Sequence, residues 1–249
     1  MKDSEMKLLF LIISTLLLLS SISLAQTINI HTRTGTDTYN LADIDSITFT
    51  LSDSGMVTDI DGNVYHTIAI GTQEWLVENL KVTHYRNGED IPEVSPDSSW
   101  SILTSGAYCN YGNDPANANI YGRLYNWFAL VDSRGIAPVG WHVATDTDWQ
   151  TLVNFLGGEL VAGGALKDTI LWAPPNTGAT NSSGFSALPC GYRYFDGGYD
   201  NLGYDAHFWS STENTGSLAW GRLVTYDSAQ FNRGSGVKQA GFAVRCVKD

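Results

Sequence analysis

An aromatic and polar stretch between Gly191 and Trp209 contains the side chains best suited to contact a ligand. Tyrosines alternate there with acidic residues, asparagine and glycine, and the candidate contacts are Tyr199, Asp200, Asn201, Tyr204 and Asp205. A tyrosine ring can stack on the face of a sugar, and carboxylate and amide oxygens accept hydrogen bonds from its hydroxyl groups. The same pattern is also typical of tyrosines that only cover a sheet. The stretch therefore predicts a flat, polar binding site, with a purely structural loop as the alternative.

Nucleophilic and zinc catalysis both lack a complete motif in this sequence. The run GFSAL around Ser186 departs from the G-x-S-x-G nucleophile elbow at its last position, so Ser186 is expected to pack in a strand. The five histidines are dispersed and include no His-x-x-x-His pair for zinc. Acidic residues are plentiful, and their pairing across loops does not follow from sequence, which leaves a glycosidase open. We assign no catalytic residue.

The acidic run Asp59-x-Asp61-Gly62-Asn63 begins like a calcium loop. The remaining ligand positions and the closing glutamate are missing. The Asp-Gly pair is explained by a tight turn, because glycine supplies the positive φ angle that such a turn needs. We therefore predict no metal and no cofactor.

Three cysteines are present, Cys109, Cys190 and Cys246. An odd number permits at most one internal disulfide and leaves at least one free thiol. Their spacing contains no CxxC motif, so neither thiol redox catalysis nor a cysteine zinc site is supported. The spacing alone leaves the pairing open.

The amino terminus predicts export. Lys2 and Lys7 precede an apolar run over residues 8–19, and small residues follow up to Ala25. This is the three-part pattern of a signal peptide, and about 12 apolar residues fall short of the ~20 that span a bilayer. We expect residues 1–25 to be removed after Ala25, giving a secreted or cell-surface protein without a membrane span.

The net charge of −12 limits the possible partners. Residues 1–25 contain two basic and two acidic residues, so their removal leaves this charge unchanged. A strongly acidic surface repels nucleic acid and anionic membranes. We predict no nucleic-acid partner.

Two amphipathic helices between Tyr121 and Leu156 are predicted to form the scaffold behind the candidate loop. Apolar residues recur at i, i+3, i+4 and i+7 in each of them. The first helix contains Leu124, Trp127, Phe128 and Val131, and the second contains Trp149, Leu152, Val153 and Leu156.

The second helix has the better-defined ends. Thr145 and Asp148 have the spacing of a capping box, and Ala144 and Trp149 have that of a hydrophobic staple. The pair Gly157-Gly158 is expected to end the helix.

Most of the remaining chain reads as strands and loops. Asp61-Gly62 predicts a hairpin with Val64, His66, Ile68 and Ile70 on one face of its second arm, and residues 74–77 would add a third strand. Residues 27–51 alternate apolar and polar residues, which predicts a small β element that ends in a polar boundary near Gly55. Residues 81–106 read as a long surface loop, and short strands separated by loops follow residue 163.

Several longer motifs identify a family resemblance between Val57 and Asp249. They are DIDGNVYHTIAIGTQEWLVENL, YCNYGNDPAN, YGRLYNWFAL, PVGWHVATDTDWQTL, GATNSSGFSALPCGYR, FWSSTE and GFAVRCVKD. Together they resemble the Fibrobacter succinogenes major paralogous domain, a family of exported bacterial proteins. That family is in turn similar to C-type lectin-like and formylglycine-generating-enzyme-like domains.

The resemblance implies an α+β, C-type lectin-like fold, with two helices packed on a twisted antiparallel sheet and a loop-rich second half. It implies a disulfide between Cys109 and Cys246, whereas Cys190 departs from the small residue that is usual in the family. In such a fold Glu213, Asn214 and Trp220 would join the candidate site. Lectin-type calcium motifs are absent, so Ca²⁺ binding follows from fold analogy alone.

These observations divide the chain into a signal peptide (1–25), a small β element with a linker (26–55) and one main domain (56–249). We predict a non-enzymatic binding module that recognises a glycan or a surface protein through its second-half loops. The alternatives are a carbohydrate-active hydrolase that uses loop carboxylates, and a structural component of the cell envelope that docks through residues 26–55.

Overall fold

The computed structural model describes residues 27–32, 35–40 and 55–249. The chain divides into two compact units, residues 1–50 and 51–249. In the first unit, strands β1 (Thr27–Thr32) and β2 (Gly35–Asn40) form an antiparallel pair. The predicted signal peptide and the predicted strand around residues 47–49 lie outside the described residues. No helix in the described part of the chain is long and apolar enough to cross a membrane.

The second unit is an α+β domain, as predicted, with two five-stranded sheets. The first sheet contains β3 (Met56–Thr58), β4 (Val64–Ile70), β5 (Gln73–Leu76), β14 (Cys246–Lys248) and β8 (Trp141–Val143), in this spatial order. The predicted hairpin is confirmed, because β3 pairs with β4 in antiparallel register across Gly62, which has a φ of +81°. The predicted third strand is β5.

The predicted face of β4 is only half correct. Ile68 and Ile70 are buried, but Val64 and His66 are exposed, and the residues between them point inward instead. Residues 64–66 of β4 pair with β3, whereas residues 67–70 pair with β5. The alternation of side chains changes face where the strand passes from one partner to the other.

The second predicted helix is confirmed as α4 (Asp146–Phe155), with α1 (Asp97–Trp100) and α2 (Pro115–Tyr121) preceding it. Thr145 and Asp148 form the predicted capping box, and Gly157 and Gly158 follow its last turn with positive φ angles. The ring of Trp149 in this helix contacts a ring from each sheet. Its centroid lies 4.7 Å from that of Trp75 in the first sheet and 5.6 Å from that of Phe208 in the second. Helix α4 therefore joins the two sheets in one core.

The first predicted helix is wrong. Leu124 and Tyr125 form a short strand, β7 (Leu124–Tyr125), which pairs with β6 (Tyr108–Cys109). Only one helical turn follows, α3 (Trp127–Leu130), capped by the side chain of Asn126. The Tyr125 backbone N–H donates to the carbonyl of Phe242, so a distant strand pairing replaces the local helical bonds.

The second sheet carries the loop-rich half of the domain. Its spatial order is β10 (Tyr199–Leu202), β9 (Cys190–Arg193), β11 (Asp205–Glu213), β12 (Leu218–Thr225) and β13 (Asn232–Val237). A further helix, α5 (Glu159–Leu166), lies between α4 and this sheet in the chain and was not predicted. Its Gly163 allows close contact, since a Cβ there would lie 2.2 Å from the carbonyl oxygen of Gln230.

Buried basic side chains hold several loops of the domain in place. The five buried cations in the described residues are Lys167, Arg193, Arg222, Lys238 and Arg245. The ammonium group of Lys167, for example, donates to three backbone carbonyl oxygens, each at 2.9 Å. Burying a charge is costly unless its donors are satisfied, and most acceptors here are backbone carbonyl oxygens. Arg222 differs, because it donates to the side chains of Glu159 and Gln150 and its Nε has no partner among the described residues.

Candidate functional site

A small open cavity lies on one face of the second sheet. Its volume is about 160 Å³, and the residues that line it are His207, Gly221, Arg222, Leu223, Gly234, Ser235 and Phe242. His207 of β11 is directly opposite Leu223 of β12, and Gly221 of β12 is opposite Gly234 of β13. Because side chains alternate along a strand, these residues lie on the same face of the sheet.

Glycine leaves the floor of this cavity unfilled. A Cβ placed at Gly234 would meet no atom within 4 Å, so the space above it is open. At Gly236, two residues along the same face, a Cβ would lie 2.7 Å from Trp209 and 2.9 Å from Phe242. Gly236 is thus required by packing, whereas Gly234 opens a space that protein atoms do not use.

A row of aromatic rings lies beside the cavity, and two of its members, His207 and Phe242, line it. Trp209 stacks on Phe242 with ring centroids 4.2 Å apart. The centroid distance is 4.9 Å between Phe242 and His207 and 4.3 Å between His207 and Tyr192. Tyr194 extends the row at 4.8 Å from Tyr192. Trp209 is buried and Tyr194 is exposed, so the row runs from the core to the solvent. Burial, followed by the hydrogen bond to Tyr194, raises the pKa of Tyr192 and keeps its phenol neutral.

His207 provides an unused polar atom within this row. Its Nε2 is buried and has no hydrogen-bond partner among the described residues. The nearest carboxylate oxygen, Asp205 Oδ2, is 3.8 Å away, too far for a hydrogen bond, and accepts one from Asn201 Nδ2 at 2.6 Å. A buried nitrogen without a partner is costly.

Two of the predicted contacts, Asn201 and Asp205, therefore lie beside this cavity. Tyr204 is 49% exposed and packs edge-on against Tyr226, and Asp200 is exposed on β10. None of these side chains lines the cavity itself.

Tyr199 makes packing contacts within the domain, of the kind that the structural alternative for this stretch predicts. Its ring packs 4.8 Å from the buried guanidinium group of Arg193, and its hydroxyl donates to Asn113 Oδ1 at 2.7 Å. Arg193 stacks on Trp100 and donates to the carbonyl oxygens of Val94 and Ser95. We call the pair Tyr199 and Arg193 the loop clamp, because it fastens the long 81–106 loop to the second sheet.

The other three predicted contacts lie around the turn between β11 and β12. Glu213 accepts a hydrogen bond from the Lys238 ammonium at 2.7 Å, and the backbone of Asn214 closes the turn after β11. Trp220 lies under the guanidinium group of Arg233 at 3.3 Å. The three residues lie near one another at this hairpin, because Glu213 pairs with Ala219, but none of them lines the cavity.

Residues 68–248 match the family model of the Fibrobacter succinogenes major domain. The chain belongs to this family. The match covers the second sheet and the whole aromatic row, so the cavity lies within the shared domain. No curated protein and no solved structure matches the chain.

The three cysteines of this Fibrobacter succinogenes major domain are buried free thiols. The predicted disulfide between Cys109 and Cys246 is therefore wrong: the two residues lie in different core clusters, with Trp100 and with Tyr65 respectively. Burial raises the pKa of Cys109 to about 11 and that of Cys190 to about 12, so both remain protonated near neutral pH.

The other side chains that the sequence singled out for metal binding or catalysis make hydrogen bonds within the domain. Within the described residues no group of three metal-ligating side chains converges. The carboxylate of Asp59 accepts hydrogen bonds from Asp61, Asn63 and Tyr65, which closes the hairpin turn. Ser186 lies in a loop rather than in a strand, and its backbone N–H and Oγ both bond the side chain of Asn181.

Proposed function

We propose that the Fibrobacter succinogenes major domain of this protein is a non-enzymatic binding module that recognises a glycan at the second-sheet cavity. The unfilled floor at Gly234, beside the ring row and the unpartnered His207 nitrogen, is the observation that carries the proposal. Sugars bind where an aromatic wall meets a few polar atoms. A volume of about 160 Å³ is below the ~300 Å³ usual for drug-sized ligands, which favours a single sugar ring or a chain end.

Binding is favoured over hydrolysis by the lining of the cavity. Glycosidases require two carboxyl groups across the scissile bond. The lining residues include neither aspartate nor glutamate, and Asp205 is the nearest carboxylate to His207. A loop-carboxylate hydrolase therefore stays the weaker proposal, and recognition of a surface protein at the same cavity is the other alternative.

The proposal also covers the export of the protein, the start of its main domain and the fold family to which that domain is related. We propose export through residues 1–25 and a main domain that begins near residue 56. We also propose a distant relation to C-type lectin-like folds, which is supported by the pairing of β5 with β14 near the carboxyl terminus and by the loop-rich second half. Calcium-independent recognition follows from the same proposal, because the cavity relies on rings and glycines.

A single methyl group tests this function. Gly234→Ala places a Cβ in the open floor without a clash, so the fold should be kept while glycan binding weakens at least tenfold. Gly216→Ala is the matched control, since a Cβ there also meets nothing and Gly216 is remote from the cavity lining. Binding would be measured by glycan array and by titration of the best glycan. Equal affinity of both variants, or no binding to any glycan, contradicts the proposal.

A further inference from the structure

A second cavity shares no lining residue with the first. It lies between the residues that follow β5 and the last turn of α2. Its volume is about 260 Å³. The apolar part of its lining includes Ile120 and Ile170, which are 51% and 60% exposed, and its polar part includes Glu78, Asp168, Ser186 and Arg245. Exposed isoleucines around a polar interior are suited to a ligand with both an apolar and a polar portion.

Backbone strain is concentrated at this cavity. Six described residues other than glycine have positive φ angles, and four of them are asparagines, which tolerate this conformation. The other two are Ser186, with φ of 52°, which lines the cavity, and Leu171, with φ of 68°, which follows Ile170. Strained residues of this kind are held in place by surrounding structure and are frequent at ligand sites.

Asp168 is the carboxylate in this cavity with unused capacity. Its Oδ1 accepts the backbone N–H groups of Thr169 and Ile170, whereas its Oδ2 has no partner and the residue has no ion pair among the described residues. Glu78, by contrast, uses both oxygens to bind His66. The acceptor oxygen that has no partner in this cavity therefore belongs to a negatively charged carboxylate, that of Asp168.

The other polar groups of the lining are consistent with a cationic ligand. Ser186 Oγ accepts one hydrogen bond, from Asn181, and retains a second lone pair. The donors of the Arg245 guanidinium group are engaged by Asn79 Oδ1 and by the carbonyl oxygens of Leu76, Phe185 and Ser186, and the charge of Glu78 acts on this group. Asp168 thus remains as the uncompensated charge.

We infer that this cavity binds a primary ammonium group on an aliphatic stem, such as the end of a lysine side chain. The ammonium group donates to Asp168 Oδ2 and Ser186 Oγ, and the stem packs between Ile120 and Ile170. The net charge of −12 favours the approach of such a cation.

The test titrates Nα-acetyl-lysine methylamide into the full chain labelled at isoleucine methyl groups. We expect the Ile120 and Ile170 methyl signals to shift with a dissociation constant on the order of 1 mM. The norleucine analogue, which has the same stem without the ammonium group, should bind at least tenfold more weakly. Equal binding of the two analogues, or shifts confined to other methyl groups, overturns the inference. This test uses the unmodified sequence and needs no substituted protein.

Asp168→Asn supplies a second, independent readout. The amide oxygen can still accept the two backbone bonds, but the charge is lost, so lysine-analogue binding should weaken about tenfold. Asp196→Asn is the matched control, because Asp196 is an exposed aspartate whose Oδ1 accepts only a nearby backbone N–H, that of Gly198. Unchanged binding by Asp168→Asn, or the same loss in both variants, overturns the assignment.

Discussion

Replacing Tyr199 by alanine is expected to release the 81–106 loop rather than to remove a ligand contact. The ring covers the buried Arg193 guanidinium, and its hydroxyl bonds Asn113. Arg193 holds the backbone of Val94 and Ser95 and stacks on the buried Trp100. Without the tyrosine ring, water reaches a guanidinium group whose side chain is otherwise fully buried.

The size of the effect follows from three contacts. The partly desolvated cation–π contact contributes about 1 kcal/mol. The hydroxyl bond contributes about 0.5 kcal/mol, because it lies near the surface, and truncation of the half-buried ring adds about 1 kcal/mol. The free energy of unfolding should therefore fall by about 2.5 kcal/mol in Tyr199→Ala and by about 0.5 kcal/mol in Tyr199→Phe.

Tyr204→Ala is the matched comparison. Tyr204 is half exposed and touches only the edge of Tyr226, so the variant should lose less than about 1 kcal/mol. Urea unfolding measures the stability of all three variants. Amide hydrogen exchange at Trp100 and Ser101, whose N–H groups close α1, should accelerate in Tyr199→Ala alone.

The reasoning fails if the two alanine variants are equally stable. It also fails if exchange in α1 is unchanged in Tyr199→Ala, since the clamp would then not hold the loop. Loss of glycan binding in that variant, without loss of stability, would return Tyr199 to the role that its sequence context first suggested.

Three further predictions concern other parts of the domain. The hydrogen bond that His84 donates to the Asp61 carboxylate, opposed by desolvation, raises the pKa of His84. The stability from this contact is then complete below the unfolded histidine pKa of ~6.5 and is lost as the pH rises through the raised folded value. The urea midpoints of wild type and His84→Gln should differ at about pH 6 and converge by about pH 9, and a pH-independent gap contradicts this. Gly163→Ala should destabilise the domain by about 2 kcal/mol in urea unfolding, because its Cβ overlaps the Gln230 carbonyl; unchanged stability would show that α5 shifts freely. The buried thiols should react with Ellman's reagent no faster than the domain unfolds, and rapid labelling in native buffer refutes their burial.

Local signals in the sequence were sufficient for some elements. The capping box at Thr145 and the glycine pair after Leu156 act within one or two helical turns, so α4 could be predicted with its ends. The hairpin at Gly62 is equally local. The first helix failed because Tyr125 pairs with Phe242, and a pairing over more than a hundred residues leaves no local mark.

The cavity could not be predicted from the sequence for the same reason, because residues distant in the chain form it. Sequence context drew attention to the tyrosines, but no tyrosine lines the cavity: Tyr199 packs against Arg193, and Tyr192 lies beside His207. His207 and Phe242 meet because Ala243 bridges to Phe208 of β11 and donates its backbone N–H to the carbonyl of His207. One signal was available in advance: Gly234 and Gly236, two apart in a strand, indicate a face where atoms must approach closely or space must stay open.

The buried cations of the domain have a consequence for how its surface can diversify. Lys167, Arg193 and Arg245 each bond backbone carbonyl oxygens of loops that are distant in sequence. Every amino acid supplies that carbonyl, so the anchor does not depend on which side chains the loop displays. New loop sequences can be grafted onto such anchors while the path of the backbone is kept, much as hypervariable segments are exchanged on a constant framework. A domain built in this way can change the side chains of its loops without changing the path of its backbone.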